Sequence, residues 1–341
     1  MKKIFFAGVI ALGVLTACNK DGDVLTILSE YNYEKEQEGY HFGDIIDLPK
    51  EIKDVAQSIE INFGDKQVKD LKITEENYKL GDNSITFIIT TKDGKTLTQE
   101  ATINVFASHP EKELGYEVVH TYEHDKTNFV QGFQLEGNTI YESVGQYGSS
   151  KLMKYALGTV SPIVEVPQSQ DVFSEGATIV GDKIYQLTWQ NKKGFIYDKA
   201  TLKQESEFVY PNAMLEGWGL TYDGTHLLAS DGTKNIYFLD PKNPSHLVKY
   251  ISVAGNQRTF DQINELEYHN GFIYANIWQS PTILKINPKT GEVVATIDLS
   301  KIAVQHTTNS DDILNGIAFK GENMLITGKN WNKIYEISIK E

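Results

Sequence analysis

Short apolar segments separated by glycine-containing turns recur five times in the C-terminal part of the chain. The copies start 44, 43, 46 and 51 residues apart, at Gln131, Glu175, Trp218, Asn264 and Asn315. Ten positions after each start stands an apolar residue, namely Tyr141, Tyr185, Leu228, Tyr274 and Leu325. Repeats of about 40 to 50 residues built from short strands and glycine turns are typical of propeller blades. The pattern therefore predicts an all-β fold with a five-bladed β-propeller over residues 114–341.

Each copy begins with a hairpin: a first strand, a turn six to eight residues after the start of the copy, and a second strand that pairs with the first. Third strands of a common type follow, such as Lys151 to Tyr155 and Lys333 to Ile337. The last copy ends after its third strand, whereas Tyr116 to Tyr122 is an extra strand before the first copy. We expect this extra strand to complete the last blade, because closure removes the open edge. A linker is expected over residues 108–113.

Residues 24–107 have the pattern of a small, separate β domain. Candidate strands run from Val24 to Leu28 and from Ile59 to Phe63, and a hairpin joins Ile85–Thr90 to Thr96–Val105. About 85 residues of this kind predict an immunoglobulin-like β-sandwich. No histidine, cysteine or carboxylate constellation is found in it, so we expect a spacer or adhesion module.

The N-terminus has the features of an export signal. Residues 1–17 combine Lys2-Lys3, a short apolar run and a small-residue cleavage site, and the run is too short to span a membrane. The only cysteine, Cys18, follows Leu15-Thr16-Ala17, which resembles a bacterial lipoprotein box. The alternative is an ordinary signal peptide with an incidental cysteine. We favour lipidation at Cys18, with residues 18–23 as the tether of an exported, membrane-anchored lipoprotein on a periplasmic or cell-surface face.

Charge and histidine spacing exclude several classes of function. Loss of Lys2 and Lys3 with the signal would change the formal net charge from -14 to -16. Such acidity argues against nucleic acid and anionic membrane surfaces as partners. The eight histidines include no paired spacing of the H-E-x-x-H kind, which argues against a catalytic zinc site.

The first and last residues of each inner hairpin meet at one edge of a blade. Counted from the start of each copy, these are offsets zero and fourteen, and in the five blades together they surround one opening of the propeller. Offset zero holds the five starting residues, and offset fourteen holds Gly145, Trp189, Gly232, Trp278 and Lys329. Aromatic residues here can serve interblade packing, and polar ones can cap turns. Packing positions should look alike from blade to blade, whereas these positions all differ. We therefore favour a single asymmetric pocket.

Ten motifs in this region resemble, in order, those of the glutaminyl cyclase (glutamine cyclotransferase) family of the plant and bacterial type. The resemblance covers about Tyr116 to Glu341 and does not include the N-terminal region. Val130 stands where the family usually has threonine, and Ser174 where glycine is usual. The motifs are Phe129-Val130-Gln131-Gly132, Tyr147-Gly148-Ser149-Ser150, Phe173-Ser174-Glu175-Gly176, Gly194-Phe195-Ile196-Tyr197-Asp198, Gly217-Trp218-Gly219-Leu220, Ser230-Asp231-Gly232-Thr233, Asn264-Glu265-Leu266-Glu267-Tyr268, Ala275-Asn276-Ile277-Trp278-Gln279, Leu314-Asn315-Gly316-Ile317-Ala318 and Thr327-Gly328-Lys329.

The resemblance implies a five-bladed propeller that converts an N-terminal glutamine to pyroglutamate with loss of ammonia. It implies Glu175 as the catalytic acid and base. The reaction needs no metal, although the family likeness allows a structural calcium in the channel, whose ligands the sequence does not place. Expected partners are peptides or proteins with N-terminal glutamine, and the chain is expected to be a monomer. The substrate-binding residues implied are Phe129, Gln131, Phe173, Trp189, Trp218, Asn264, Trp278 and Lys329.

The residue types suit this chemistry. A five-membered ring closes within the substrate, so the enzyme has to select a bent conformer, which aromatic walls can do. A carboxylate between aromatic rings has a raised pKa and can move a proton from the amine to the leaving nitrogen. Asn264 and Lys329 can donate hydrogen bonds to the amide oxygen.

Two other functions compete with this interpretation. One is a surface-attached propeller that binds a peptide or glycan without chemistry. The other is a hydrolase that uses the same carboxylate, but the predicted rim has neither a second carboxylate nor a Ser-His pair. Glu175 among aromatic residues favours the enzyme over the binding protein, because pure binding needs no proton shuttle.

Overall fold

The structure is a computed structural model that describes residues 20–64 and 66–340. The expected signal sequence, residues 1–17, and the expected lipidation site, Cys18, lie outside these residues. The described chain divides into two compact units. The first unit comprises residues 20–37, 45–72 and 84–103, and the second comprises residues 38–44, 73–83 and 104–340.

The N-terminal region contains one five-stranded sheet with the strand order β1-β5-β4-β2-β3. The predicted hairpin is present as β4 and β5, and Gly94 in its turn has a φ of 85°, which favours glycine. The elements are α1 Lys20–Glu38, β1 Tyr40–His41, α2 Lys50–Val55, β2 Ala56–Phe63, β3 Lys66–Val68, β4 Gly81–Thr91 and β5 Thr96–Phe106.

This region does not have the immunoglobulin-like sandwich expected over residues 24–107. A sandwich needs two packed sheets, and the described residues here form one. The expected strand Val24 to Leu28 lies within α1, as do residues 20–23 of the expected tether. Val24 and Leu28 are both buried and stand four residues apart, the spacing of one helix face. A short apolar run cannot be assigned to strand or helix by its pattern alone, which explains the error.

The remaining elements belong to the repeat region and are almost all strands. They are β6 Lys112–Glu113, β7 Gly115–Glu123, β8 Val130–Glu136, β9 Thr139–Val144, β10 Lys151–Ala156, β11 Val164–Pro167, β12 Ser174–Val180, β13 Lys183–Thr188, β14 Lys193–Asp198, β15 Gln204–Val209, β16 Leu220–Tyr222, β17 Leu227–Ser230, β18 Asn235–Asp240, β19 Asn243–Ser252, β20 Ile263–His269, β21 Phe272–Ile277, β22 Thr282–Ile286, β23 Val293–Asp298, α3 Ser300–Ala303, β24 Leu314–Lys320, β25 Asn323–Gly328 and β26 Lys333–Lys340.

Each of the first four repeat copies contributes four sequential antiparallel strands to one sheet. The first four sheets are β8–β11, β12–β15, β16–β19 and β20–β23. The fifth consists of β24, β25 and β26 and is completed by β7, which pairs along β26 from Gly115 to Glu123. The N-terminal strand therefore closes the last sheet, as the sequence predicts. The first strands contact one another in the cyclic order β8, β12, β16, β20 and β24, and β24 meets β8.

The expected linker over residues 108–113 is partly ordered as a strand. Lys112 and Glu113 form β6, which adds to the edge of the fourth sheet in parallel with Ala295 and Thr296. Leu114 N–H then donates to the Thr296 carbonyl at 2.8 Å. This segment therefore belongs to the second unit.

The hydrophobic core of the second unit is divided into clusters between neighbouring sheets. Leu152 of the first sheet packs in one cluster with Ile184 and Phe195 of the second. Ala318 of the fifth sheet packs with Phe133 of the first, so this arrangement also joins the last sheet to the first. The apolar residues at offset ten all pack in such clusters. Burial between sheets is therefore the common role of these positions.

Candidate active site

The first strands are irregular where the predicted cavity residues lie. The pairing register shifts near the start of β8, β12, β20 and β24. Gln131, Glu175 and Asn264 fall within three of these shifts. A bulge removes a residue from the regular ladder and re-aims its side chain. The bulges therefore explain how residues at strand starts point towards a common space.

The second strands bring the residues at offset fourteen to the same edge. Trp189 N–H donates to the Phe173 carbonyl at 3.0 Å, and Gly145 N–H donates to the Phe129 carbonyl at 2.8 Å. Trp278 and Lys329 make the same bond to Gln262 and Ile313, so in four of the five copies the residue at offset fourteen lies opposite the residue two positions before the start of its copy. This pairing is why Phe129 and Phe173, which are not repeat positions, reach the site.

These elements surround one cavity of about 270 Å³. All nine residues that the sequence assigns to the site line it, together with two that it does not assign. The additional residues are Gln146, which follows Gly145, and Asp311, which lies between α3 and β24. The full lining consists of Phe129, Gln131, Gln146, Phe173, Glu175, Trp189, Trp218, Asn264, Trp278, Asp311 and Lys329.

Other predicted rim residues support the lining without forming it. A Cβ on Gly145 would lie 2.6 Å from Phe173 Cε1, and one on Gly232 would lie 2.7 Å from Trp218 Cζ2, so glycine makes room for these rings. Asn315 Nδ2 donates to Gln131 Oε1 at 3.1 Å. That bond occupies the carbonyl end of the Gln131 amide and leaves its N–H groups as donors.

Aromatic rings form two walls of the cavity. Phe173 meets Phe129 at 6.1 Å and Trp189 at 5.5 Å between ring centroids, both edge to face. Trp218 meets Trp278 at 6.2 Å with an interplanar angle of 78°. Such pairs hold each other in fixed orientations. The walls are therefore rigid, apolar surfaces on either side of the polar groups.

Glu175 is the buried carboxylate of the site, with 4% of its surface exposed. Burial raises its pKa well above the ordinary value, the nearby Lys329 lowers it, and Glu216 raises it further. Within residues 20–64 and 66–340, no group donates a hydrogen bond to this carboxylate. An unpaired buried carboxylate is costly to ionise, so Glu175 is a strong proton acceptor when it is charged.

Lys329 is the buried cation of the site and is also 4% exposed. Its Nζ lies 4.6 Å from the centroid of the Phe129 ring. Burial lowers the pKa of Lys329 to about 8, although the charges of Glu175 and Asp311 oppose this change. The ammonium can therefore lose its proton in mildly alkaline solution, which is unusual for lysine.

Glu216 is a further residue of the site that sequence reasoning missed. Trp189 Nε1 donates to Glu216 Oε2 at 2.5 Å, and Trp218 Nε1 donates to the same oxygen at 2.9 Å. Glu216 lies two residues before Trp218, outside the repeat positions, and it is absent from the cavity lining. Only its proximity to a predicted tryptophan could have drawn attention to it.

The structure also bears on metals and membranes. No three His, Cys, Asp or Glu side chains in the described residues form a group that could hold a metal ion. In the same part of the chain, no helix is long and apolar enough to cross a membrane.

Comparison with known proteins identifies the family of the chain. The family model described as glutamine cyclotransferase matches residues 88–339. A curated glutaminyl-peptide cyclotransferase of Arabidopsis thaliana is 39% identical over 233 residues, which is 66% of this chain and 71% of the relative. The crystal structure of Myxococcus xanthus glutaminyl cyclase superposes with a TM-score of 0.62 at 31% identity, covering 67% of this chain and 98% of that one. The chain belongs to the glutamine cyclotransferase family.

Proposed function

We propose that this enzyme converts the N-terminal glutamine of peptides or proteins to pyroglutamate, releases ammonia, and uses Glu175 to move the proton. The catalytic unit in this proposal is a five-bladed β-propeller made of the five sheets. The observation that carries it is the buried, unpaired Glu175 carboxylate that faces a small cavity with aromatic walls. The name of the Arabidopsis relative supports the same activity.

The cavity has room for one small side chain, such as that of an N-terminal glutamine. Its volume of about 270 Å³ is just below the usual range for small-molecule pockets. Trp189 and Trp218, which come from neighbouring sheets, pack against the substrate. This packing favours the bent conformer in which the α-amine approaches the side-chain amide. Because the reaction is intramolecular, selecting this conformer supplies much of the rate enhancement.

A single residue can act first as the base and then as the acid in the proton transfer. The α-amine of a peptide has a pKa of about 8, so the substrate arrives largely as an ammonium. The ammonium first releases one proton to solvent, and the neutral amine attacks the side-chain amide carbon to form the ring C–N bond while ionised Glu175 takes a second proton from the same nitrogen. Glu175 returns the proton to the amide nitrogen, the original C–N bond breaks, and ammonia leaves. No net proton is gained or lost by the protein.

Hydrogen-bond donors near the cavity stabilise the charge that develops on the amide oxygen. The Gln131 amide has its oxygen occupied by Asn315 and so presents N–H groups. The Lys329 ammonium supplies a positive charge in a buried setting, where such a charge is worth more than in water. We assign Gln131 and Lys329 this role, with Asn264 as a further contact of the substrate amide.

The direct test is ammonia release from a glutamine-initiated dipeptide by the purified full chain. Glu175→Gln should reduce the rate about 100- to 10,000-fold while dipeptide binding persists. An asparagine-initiated dipeptide is the substrate control, because it would have to close a four-membered ring. Release should persist in excess chelator. Binding of the dipeptide by the wild type without any ammonia release would replace this proposal with a peptide-binding protein.

The proposal includes an exported, membrane-anchored lipoprotein that acts as a monomer. Its support is the sequence Leu15-Thr16-Ala17-Cys18 at the end of the expected signal. Mass spectrometry of the mature N-terminus should find a lipidated Cys18. An unmodified chain that begins elsewhere would contradict the anchor.

A further inference from the structure

Glu216 connects two walls of the cavity that come from different sheets. Trp189 follows β13 of the second sheet, and Trp218 precedes β16 of the third. One oxygen of the Glu216 carboxylate accepts hydrogen bonds from both indole nitrogens, at 2.5 Å and 2.9 Å. The other oxygen accepts one from Gln190 Nε2 at 3.0 Å. The carboxylate is thus the shared acceptor of two aromatic side chains that line the site.

The chemistry of this contact favours a carboxylate. Indole nitrogen is only a donor, so two converging indoles need an acceptor between them. A charged acceptor makes stronger hydrogen bonds than a neutral one. In the described part of the chain, Glu216 has no Lys, Arg or His ion-pair partner within 4.0 Å. Its negative charge is therefore offset by hydrogen bonds alone and acts on the groups nearby.

The charge of Glu216 affects the pKa of Glu175. Burial raises the pKa of Glu175 and the charge of Glu216 raises it further, whereas Lys329 lowers it. The third titratable neighbour is Tyr210, whose hydroxyl donates to the Thr188 carbonyl at 3.0 Å. Burial raises the pKa of Tyr210 above its ordinary value, so it stays neutral at physiological pH. Glu216 is thus the negative charge in this group that works against ionisation of Glu175.

We propose that Glu216 is a positioning residue for the cyclisation: its carboxylate fixes the Trp189 and Trp218 indoles as walls around the substrate. The charge held in this position also acts on Glu175. This inference rests on the proposed function for its kinetic part. The structural part concerns two hydrogen bonds and can be measured without substrate. The two parts can be tested separately. Holding the two indoles requires only a hydrogen-bond acceptor at position 216, whereas the effect on Glu175 requires a negative charge there.

Two substitutions distinguish these roles. Glu216→Gln keeps one carbonyl oxygen for the two indoles and removes the charge, while Glu216→Ala removes both. Glu207→Gln is the matched control, because Glu207 lies in β15, the strand that precedes Glu216 in the chain, and pairs with Lys193 at 3.1 Å away from the cavity lining. Thermal unfolding of each variant shows whether it has folded.

The first readout is the indole N–H resonances of the full chain with isotope-labelled tryptophan. The protein has four tryptophans, so four signals are expected. Two should move upfield in Glu216→Ala, because their strong hydrogen bonds are lost, and they should move much less in Glu216→Gln. Unchanged signals in folded Glu216→Ala would overturn the shared-acceptor geometry.

The second readout is the pH profile of kcat/KM for ammonia release. In Glu216→Gln the acid limb should move to lower pH, since Glu175 then ionises more readily, and KM should change less than about threefold. In Glu216→Ala, KM should rise about tenfold because the walls are no longer fixed. An acid limb that stays in place in Glu216→Gln would overturn the proposed effect on Glu175. Absence of ammonia release by the wild type would instead contradict the proposed function and leave the resonance test standing.

Discussion

Two buried carboxylates in the ring of sheets, Glu142 and Glu175, have opposite surroundings. Glu142 is fully buried and accepts hydrogen bonds from His124 Nε2 at 3.0 Å and Tyr155 Oη at 2.5 Å. Glu175 is 4% exposed and accepts none from the residues that the structure describes. The first carboxylate is stabilised by hydrogen bonds, and the second has no hydrogen-bond donor among the described residues and faces a cavity.

Both hydrogen bonds reach Glu142 Oε2, and Oε1 is buried without a partner among the described residues, so the pairing rests on one oxygen. His124 Nδ1 lies 2.7 Å from the Trp331 carbonyl oxygen and Nε2 lies 3.0 Å from Glu142 Oε2, so both ring nitrogens face acceptors, which favours the protonated imidazole. Burial alone would lower the pKa of His124, but the charge of Glu142 and these hydrogen bonds raise it. The contrast teaches that burial of a carboxylate does not mark an active site. Burial without partners, next to space for a substrate, does.

The largest expected effect on stability lies at Glu142. Glu142→Gln should lower the free energy of unfolding by about 3 to 5 kcal/mol, because it leaves the buried His124 cation without its anion. The folded fraction should retain near-normal kcat. Denaturant unfolding followed by tryptophan fluorescence measures the first quantity. A variant of wild-type stability would show that the two carboxylates do not differ as described.

The next effect concerns the cation beside Glu175. Lys329→Gln should lower kcat about 100- to 1,000-fold, the usual cost of losing a donor to a developing oxyanion. Because the pKa of Lys329 is about 8, its charge is present below that pH and lost above it. The wild-type rate should therefore fall as pH rises through about 8, and this limb should be absent from the variant. A wild-type profile that stays flat well above that pH would contradict a role for the charge.

A smaller effect is expected at the mouth of the cavity. Trp278 is 37% exposed and packs edge to face on Trp218. Trp278→Ala should raise KM for the dipeptide about tenfold with little change in kcat, because it removes binding surface and leaves the proton path intact. Tyr250→Ala, at an exposed aromatic on the outer strand β19, is the matched control. Equal effects of the two substitutions would remove Trp278 from the binding site.

The smallest effect is expected at Asp311. Its charge raises the pKa of Lys329, so Asp311→Asn should move the alkaline limb of the rate to lower pH. The shift should be less than about one pH unit, because Asp311 is exposed and solvent screens its charge. A shift in the opposite direction would contradict the electrostatic link between the two residues.

The residues that the sequence assigns to the site lie around one cavity because most of them follow the repeat. Glu175, Trp189 and Lys329 occupy positions fixed by copy length and by the hairpin, so their convergence is a consequence of the strand pairing. Asp311 and Glu216 lie in connections between sheets, where the repeat gives no register. Their roles depend on side-chain contacts, which a pattern of apolar positions does not encode.

The N-terminal region also shows which features a sequence pattern can predict and which it cannot. The hairpin β4–β5 has strong alternation and a glycine turn, and it was predicted with nearly correct bounds. The run from Val24 to Leu28 has no such local information, since its apolar residues fit a strand or a helix. Burial of Val24 and Leu28 decides in favour of α1, and burial is a property of the folded structure.

The most direct test of the contrast is the thermal unfolding midpoint of the wild type and Glu175→Gln as a function of pH. The pKa of Glu175 is raised in the folded state, so the wild type binds its proton more tightly when folded and loses stability as pH rises above the ordinary glutamate value. Glutamine mimics the protonated acid and avoids this loss. We predict similar midpoints near pH 4 and a growing advantage for Glu175→Gln as pH rises towards neutrality, in a protein that no longer releases ammonia. A variant that is less stable than the wild type at neutral pH would show that Glu175 is a satisfied structural carboxylate and would contradict the account.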